Sequence, residues 1–138
     1  MTKEFIYGYI KKHTLAVVST SATGNKPEAA LVGIASTENL EIIFDTVKSS
    51  RKYQNILQNP HVAIVIGWEN ETTLQYEGIA TELVGEDAAH FKEVYFGVYP
   101  DGRERVETWP GLVHFKVTPT WIRYSNFNIP VVIEEMEF

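Results

Sequence analysis

Between Phe44 and Lys52 the chain reads Phe-Asp-Thr-Val-Lys-Ser-Ser-Arg-Lys, which places hydroxyls and three cations within five residues where a β-rich run gives way to a helical pattern. A helix that starts at Ser49 or Ser50 aims its free backbone N–H groups and the positive end of its dipole at one spot. Arg51 can fork onto phosphate oxygens, Lys52 adds a point charge, and the serine hydroxyls complete the shell, so the natural guest of such a cluster is a phosphate. The same residues also suit a plainer role, with Ser50 capping the helix while Lys48, Arg51 and Lys52 stand in solvent. Spacing alone leaves both readings open.

Other chemistries are poorly supplied. The chain has no cysteine, which excludes thiol catalysis, thiolate-bound zinc and iron–sulfur clusters. His13, His61, His90 and His114 show no paired metal-ligand spacing, so no metal site is expected and surface or interface roles are assigned to them. No Gly-x-Ser-x-Gly elbow, Walker loop or Gly-x-Gly-x-x-Gly turn occurs, which removes the common signatures of hydrolases, NTPases and Rossmann dehydrogenases. A formal charge of −6 argues against attraction of nucleic acid or anionic lipid by the bulk field, so an anion needs a local site. The carboxylates at Glu134, Glu135 and Glu137 read as a solvated tail.

The elements that must position the cluster follow from periodicity. Thr2 is a candidate N-cap for a first helix with Phe5, Ile6, Tyr9 and Ile10 on one face. Strands are predicted over 15–20, 29–35 and 40–45, with turn chemistry at Ser21–Pro27 and Glu38-Asn39. The helix carrying Arg51 and Lys52 turns Tyr53, Ile56 and Leu57 to one side and ends at Asn59-Pro60. A long hairpin, 62–68 and 73–84, follows, with Gly78 marking a bulge or a close neighbour. A further helix opens at Gly85-Glu86-Asp87 and carries Ala88, Phe91, Val94 and Tyr95, and the stretch from Pro100 to Gly111 reads as loop. Strands at 112–117 and 121–124 flank Thr118-Pro119-Thr120, with an apolar extension at Val131–Ile133, and Trp68 and Trp121 fall in strands as core or interface residues. Many short strands with few helices predict a mainly β fold, a barrel with short helices, in one domain spanning 1–138. At 138 residues such a chain buries a sizeable core unaided. No apolar run reaches membrane-spanning length and the first residues lack a signal core, so the expected location is cytoplasmic.

The compound pattern Phe44-x-Thr46-x-x-x-Ser50-Arg51-Lys52, continuing into Asn59-Pro60-x-Val62, resembles the pyridoxamine 5′-phosphate oxidase-like family of FMN-binding split barrels. The resemblance runs through Trp68, Gly78-Ile79-Ala80 and Phe115-Lys116-Val117-Thr118-Pro119 to Trp121-Ile122-Arg123-Tyr124, most of the chain. It implies that Ser50, Arg51 and Lys52 clamp the FMN phosphate and that Asp45 and Thr46 line the cofactor. An aspartate stands at position 45 where the true oxidases carry a tyrosine, and its carboxylate suits a ribityl hydroxyl. The family's preceding strand carries an arginine and a lysine, but the matching stretch here is Ala30–Ala35, so Leu31 and Val32 meet the flavin through backbone and the clamp rests on Arg51 and Lys52. Thr73 matches a glutamine beside the flavin, and Gln75, two residues on, points to the same face. Trp109 lies where an indole either covers the flavin ring across a dimer interface or simply packs.

The resemblance therefore implies a symmetric homodimer with FMN at the interface and flavin-dependent oxidoreduction of a small molecule, hydride passing through the flavin N5. The chain ends without the arginine-rich segment of the biosynthetic oxidases, so pyridoxine phosphate oxidation is not the expected reaction, and no residue is assigned as acid or base. Two alternatives stay open: a deazaflavin-dependent reductase on the same barrel, and a non-catalytic module holding flavin or haem.

Overall fold

The computed structural model describes residues 1–138. Helix α1 (Lys3–Lys11) starts where the sequence predicts, the Thr2 side chain accepting the Phe5 N–H at 3.1 Å, and it inserts Ile6 and Ile10 into the core. Strands β1 (Leu15–Ala22) and β2 (Lys26–Gly33) form a tight hairpin, followed by the two-residue β3 (Ala35–Ser36) and β4 (Ile42–Val47). Helix α2 (Arg51–Gln58) leads to β5 (His61–Ile66) and β6 (Thr72–Glu82). Two helices, α3 (Glu86–Val98) and α4 (Gly102–Thr108), precede the long β7 (Leu112–Asn126) and β8 (Val132–Glu137).

The fold is mainly β, as the alternating patterns predict. All pairings are antiparallel, in the order β2-β1-β5-β6-β7-β4-β3, with β8 on the far half of β7. The two ends of this order, β2 and β3, are separated in sequence only by Ile34, so the sheet curls until its edges meet. The Ile34 N–H donates to the Thr14 carbonyl at 2.9 Å, one further rung of the β1–β2 ladder before the chain enters β3. Inside lie Val18, Ile34, Ile42, Phe44, Ile64, Leu74, Tyr76 and Phe115, part of a core of 20 buried residues. Tyr76 is buried but satisfied, its hydroxyl donating toward the carbonyls of Leu40 at 2.7 Å and Val117 at 3.0 Å. The run Ile42-Ile43-Phe44 is buried on both faces because α3 covers the outer one, where Ile43 meets Ala88, Tyr95 and Phe96.

Several expectations are corrected. The stretch read as loop contains α4, because Pro100-Asp101-Gly102 serves a helix start as readily as a turn. The two strands flanking Thr118-Pro119-Thr120 are one: the register shifts between Glu77 and Gly78, and Pro119 sits opposite Gly78 at that bulge, where a missing N–H is tolerated. Gly78 has to be glycine there, since a Cβ would lie 2.4 Å from the Thr118 carbonyl oxygen. The acidic end is strand β8, not a free tail, with Glu135 paired to Arg123 and Glu134 2.6 Å from the N-terminal amine. Leu57 is exposed while Asn55 takes the buried position expected of it, and Trp68 lies past the end of β5 with half its surface exposed. His114 is buried rather than superficial, its ring between Tyr95 and Phe96. No helix is long and apolar enough to cross a membrane.

Candidate functional site

The core alternation of β4 sorts the residues that follow it. Phe44 points inward and Thr46 shares its side, whereas Asp45 shares the outer side of Ile43, beneath α3 and α4. Thr46 is buried, and its hydroxyl donates to Ser50 Oγ at 2.8 Å. Ser50 caps α2, its Oγ accepting the Tyr53 N–H at 3.2 Å. With both acceptor positions of that oxygen filled, the Ser50 proton is left to donate outward, beside the free N–H groups of the first helical turn.

Lys52 and Arg51 flank this point. Burial and the adjacent Arg51 hold the Lys52 ammonium below its usual pKa, Asp45 opposing them, which is the condition of a cation short of counter-charge. Arg51 is mostly exposed and pairs with Glu28 of β2 at 2.8 Å. The donor set of Thr46, Ser50, the α2 N-terminus, Arg51 and Lys52 has the chemistry a phosphate requires.

Asp45 is already engaged. Arg105 of α4 reaches its Oδ2 at 3.1 Å through Nη2, bonds Asp101 at 2.6 Å through Nη1, and lies 3.4 Å from the Tyr95 hydroxyl. Its guanidinium sits 5.7 Å from the centre of the Trp109 ring. These residues line a cleft of about 540 Å³ with Leu15, Gly33, Tyr95 and Tyr99. Tyr99 packs on Gly33, where a Cβ would come within 2.7 Å of its ring, and its hydroxyl bonds the Thr14 carbonyl. Asp45 and Trp109 are thus brought to one cleft, and Thr46, Ser50, Arg51 and Lys52 to the adjoining helix start.

The remaining candidates stand elsewhere. Val32 is a core residue, so only its backbone is free to line a ligand, while Leu31 is 60% exposed on the outer face of β2. Thr73 and Gln75 lie on β6, and within one protomer they are remote from Thr46. Thr46 pairs with Val113 of β7 and Gln75 with Arg123, a separation of roughly 30 Å of strand. Two residues escaped the sequence reading. Glu28 meets Arg51 through a strand-to-helix contact that no spacing rule encodes, and Arg105 belongs to a helix that reads as loop.

A mainly antiparallel curled sheet with an anion-suited helix start beside its fourth strand defines a split-barrel protein. The sequence profile of the pyridoxamine 5′-phosphate oxidase family matches residues 2–126, and the chain belongs to that family. A pyridoxine/pyridoxamine 5′-phosphate oxidase of Paraburkholderia phymatum is 30% identical over 98 residues, 70% of this chain and 43% of that protein. The chain spans less than half the length of the curated relatives it matches. Among solved structures, a heme binding protein from Mycobacterium smegmatis superposes with a TM-score of 0.83 at 12% identity, covering 99% of this chain and 58% of that one. A pyridoxamine 5′-phosphate oxidase-related, FMN binding protein from Nostoc punctiforme gives 0.66 at 10% identity, with 99% and 92% covered. At these identities the superpositions speak for the fold alone.

Proposed function

We propose that this protein binds FMN and acts as a flavin-dependent oxidoreductase on a small molecule. The observation that carries this reading is the Thr46–Ser50 hydroxyl pair at the start of α2, which leaves the Ser50 proton outward beside the unpaired first-turn N–H groups and the under-neutralised Lys52. When bound, FMN supplies the hydride chemistry. The chain's part is binding and orientation: Ser50, Arg51 and Lys52 take the phosphate, and the backbone at Leu31 and Val32 faces the ring. Asp45, held by Arg105, offers its second carboxylate oxygen to a ligand hydroxyl. Tyr95, Tyr99 and Trp109 line the cleft beside Asp45 and would shield part of a bound ligand from water. No side chain is assigned a proton-transfer role.

A second copy of the chain completes the site in this reading. The register aligns Leu31, Val17, Val65, Gln75 and Arg123 in one row across the outer sheet face, and Leu15, Leu31 and Val65 are exposed there. Such an apolar row suits a two-fold interface, and pairing across it would carry Thr73 and Gln75 of one protomer toward the helix start of the other.

The test is the visible spectrum of freshly purified protein, with mass analysis of any small molecule released on denaturation and titration with added FMN. Flavin absorption with a released mass matching FMN, or saturable FMN binding by the colourless protein, is the expected result. A Soret band, a deazaflavin spectrum, or failure to bind FMN at all would overturn it. Reduction of the bound flavin by a nicotinamide donor, followed by reoxidation with a small acceptor, separates an enzyme from a binding module.

A further inference from the structure

The Glu28 carboxylate is fixed from below. Its Oε1 accepts an N–H from Asn55 at 2.9 Å, and the buried Asn55 gives its other amide hydrogen to the buried Thr20 hydroxyl, also at 2.9 Å. Its Oε2 meets Arg51 at 2.8 Å, with Lys26 at 3.7 Å. The Glu28 side chain is 11% exposed, whereas the Arg51 side chain is 70% exposed. A held carboxylate therefore faces an exposed guanidinium, and that guanidinium is one of the two cations the α2 start offers to an anion. Donation from Asn55, and then the charges of Arg51 and Lys26, keep the Glu28 carboxyl below its ordinary value of 4.5 against the opposing effect of burial, so it is ionised at neutral pH.

We propose that Glu28 is an internal competitor for Arg51: an arriving phosphate must take the guanidinium from Glu28, and this residue sets how tightly the site holds phosphorylated ligands. The inference rests on reading the α2 start as a phosphate seat. The exchange is physically easy. An exposed guanidinium leaves a surface ion pair at little cost, and a phosphate offers it two oxygens and up to two charges in place of one carboxylate oxygen. The net gain is the difference between two charge-assisted contacts rather than the whole of one. The share of Arg51 in discriminating FMN from unphosphorylated riboflavin is correspondingly small, and Lys52 carries the larger part.

Glu28→Gln tests this, because the amide oxygen still accepts from Asn55 while the charge is gone. Inorganic phosphate, followed by phosphorus NMR and calorimetry, is expected to bind the variant about tenfold more tightly than wild type, the lower range of one charge-assisted contact. FMN should gain by the same factor and riboflavin not at all, and adding Arg51→Ala should abolish the gain. Glu28→Ala should move phosphate affinity in the same direction, which guards against an effect peculiar to glutamine. No gain in either variant, an equal gain for riboflavin, or a gain that survives Arg51→Ala overturns the proposal. The two readings fail separately. FMN binding by wild type with no gain in the variants sinks the competitor alone, and a phosphate gain in protein that never binds FMN sinks the flavin alone.

Discussion

Ser50 is committed as an outward donor because Thr46 and Tyr53 occupy its acceptor sites, and Lys52 is a cation kept short of counter-charge, so the two act together on an incoming anion. Replacing Arg51 and Lys52 together with alanine removes the Lys52 contact of about 1.5–3 kcal/mol and the smaller net contribution of Arg51, which Glu28 already holds, so FMN affinity should fall about tenfold or more while riboflavin affinity changes little. Fluorescence-quenching titration reads both, and equal affinity for FMN in a folded double variant would falsify the clamp. His114 makes a different prediction. Its buried Nε2 has no partner, and burial first, then Lys92 and Arg105, hold its pKa below the usual 6.5 against the pull of Asp45. Between those two values the unfolded chain binds a proton the folded one refuses. Stability should therefore decline as pH drops below about 6.5 and level off under the folded-state pKa. His114→Leu should flatten that slope in urea titrations at pH 7, 6 and 5, and an unchanged slope would assign it to other groups.

At the scale of elements, α4 shows how one side chain can decide a segment. Its N-cap Asp101 makes no side-chain cap bond, and only Gly102 of the helix is buried, so little within the segment favours helix. Arg105 supplies the tie by bridging Asp101 to Asp45 on β4 with only 17% of its side chain exposed. Arg105→Ala should cost about 1–2 kcal/mol by leaving Asp45 half-buried and unpaired, and should speed amide exchange over 102–109 before any other region. Exchange that stays as slow as in wild type would show that Trp109 and the flanking turns hold the helix instead. Helix α2 was legible because its cap and its terminal Asn59-Pro60 are local, whereas the choice of Asn55 over Leu57 for its buried side rests on Thr20 and Glu28 far along the chain. Helix α4 was not, because its stabilising contact lies 60 residues away.

For the whole molecule, the outer sheet face carries the argument. Leu31 at 60% exposure stands in the row that leads through Val17 and Val65 to Gln75, and an apolar row of this kind is costly to leave in water. Leu31→Arg should convert a dimer to a monomer in light scattering, lower the melting temperature and weaken FMN binding together, because the site draws on both copies in the proposed assembly. A variant that stays dimeric with full FMN affinity would place the interface on another face. Within that row the one charged residue, Arg123, is matched by Glu135.

Local chemistry determined what the sequence could show by itself. The strand alternation, the capped helix starts, the Gly78 bulge and the Thr46–Lys52 cluster each depend on residues within one or two turns of chain, and each reappears in the folded protein. Tertiary structure decided the rest, because partners distant in sequence leave no periodic trace. It merged two apparent strands into β7, drew the acidic end into β8, buried His114 under α3, and gave Asp45 to Arg105. It also set Glu28 against Arg51, a pairing fixed by the curl that brings β2 alongside α2 and by the buried Asn55 between them.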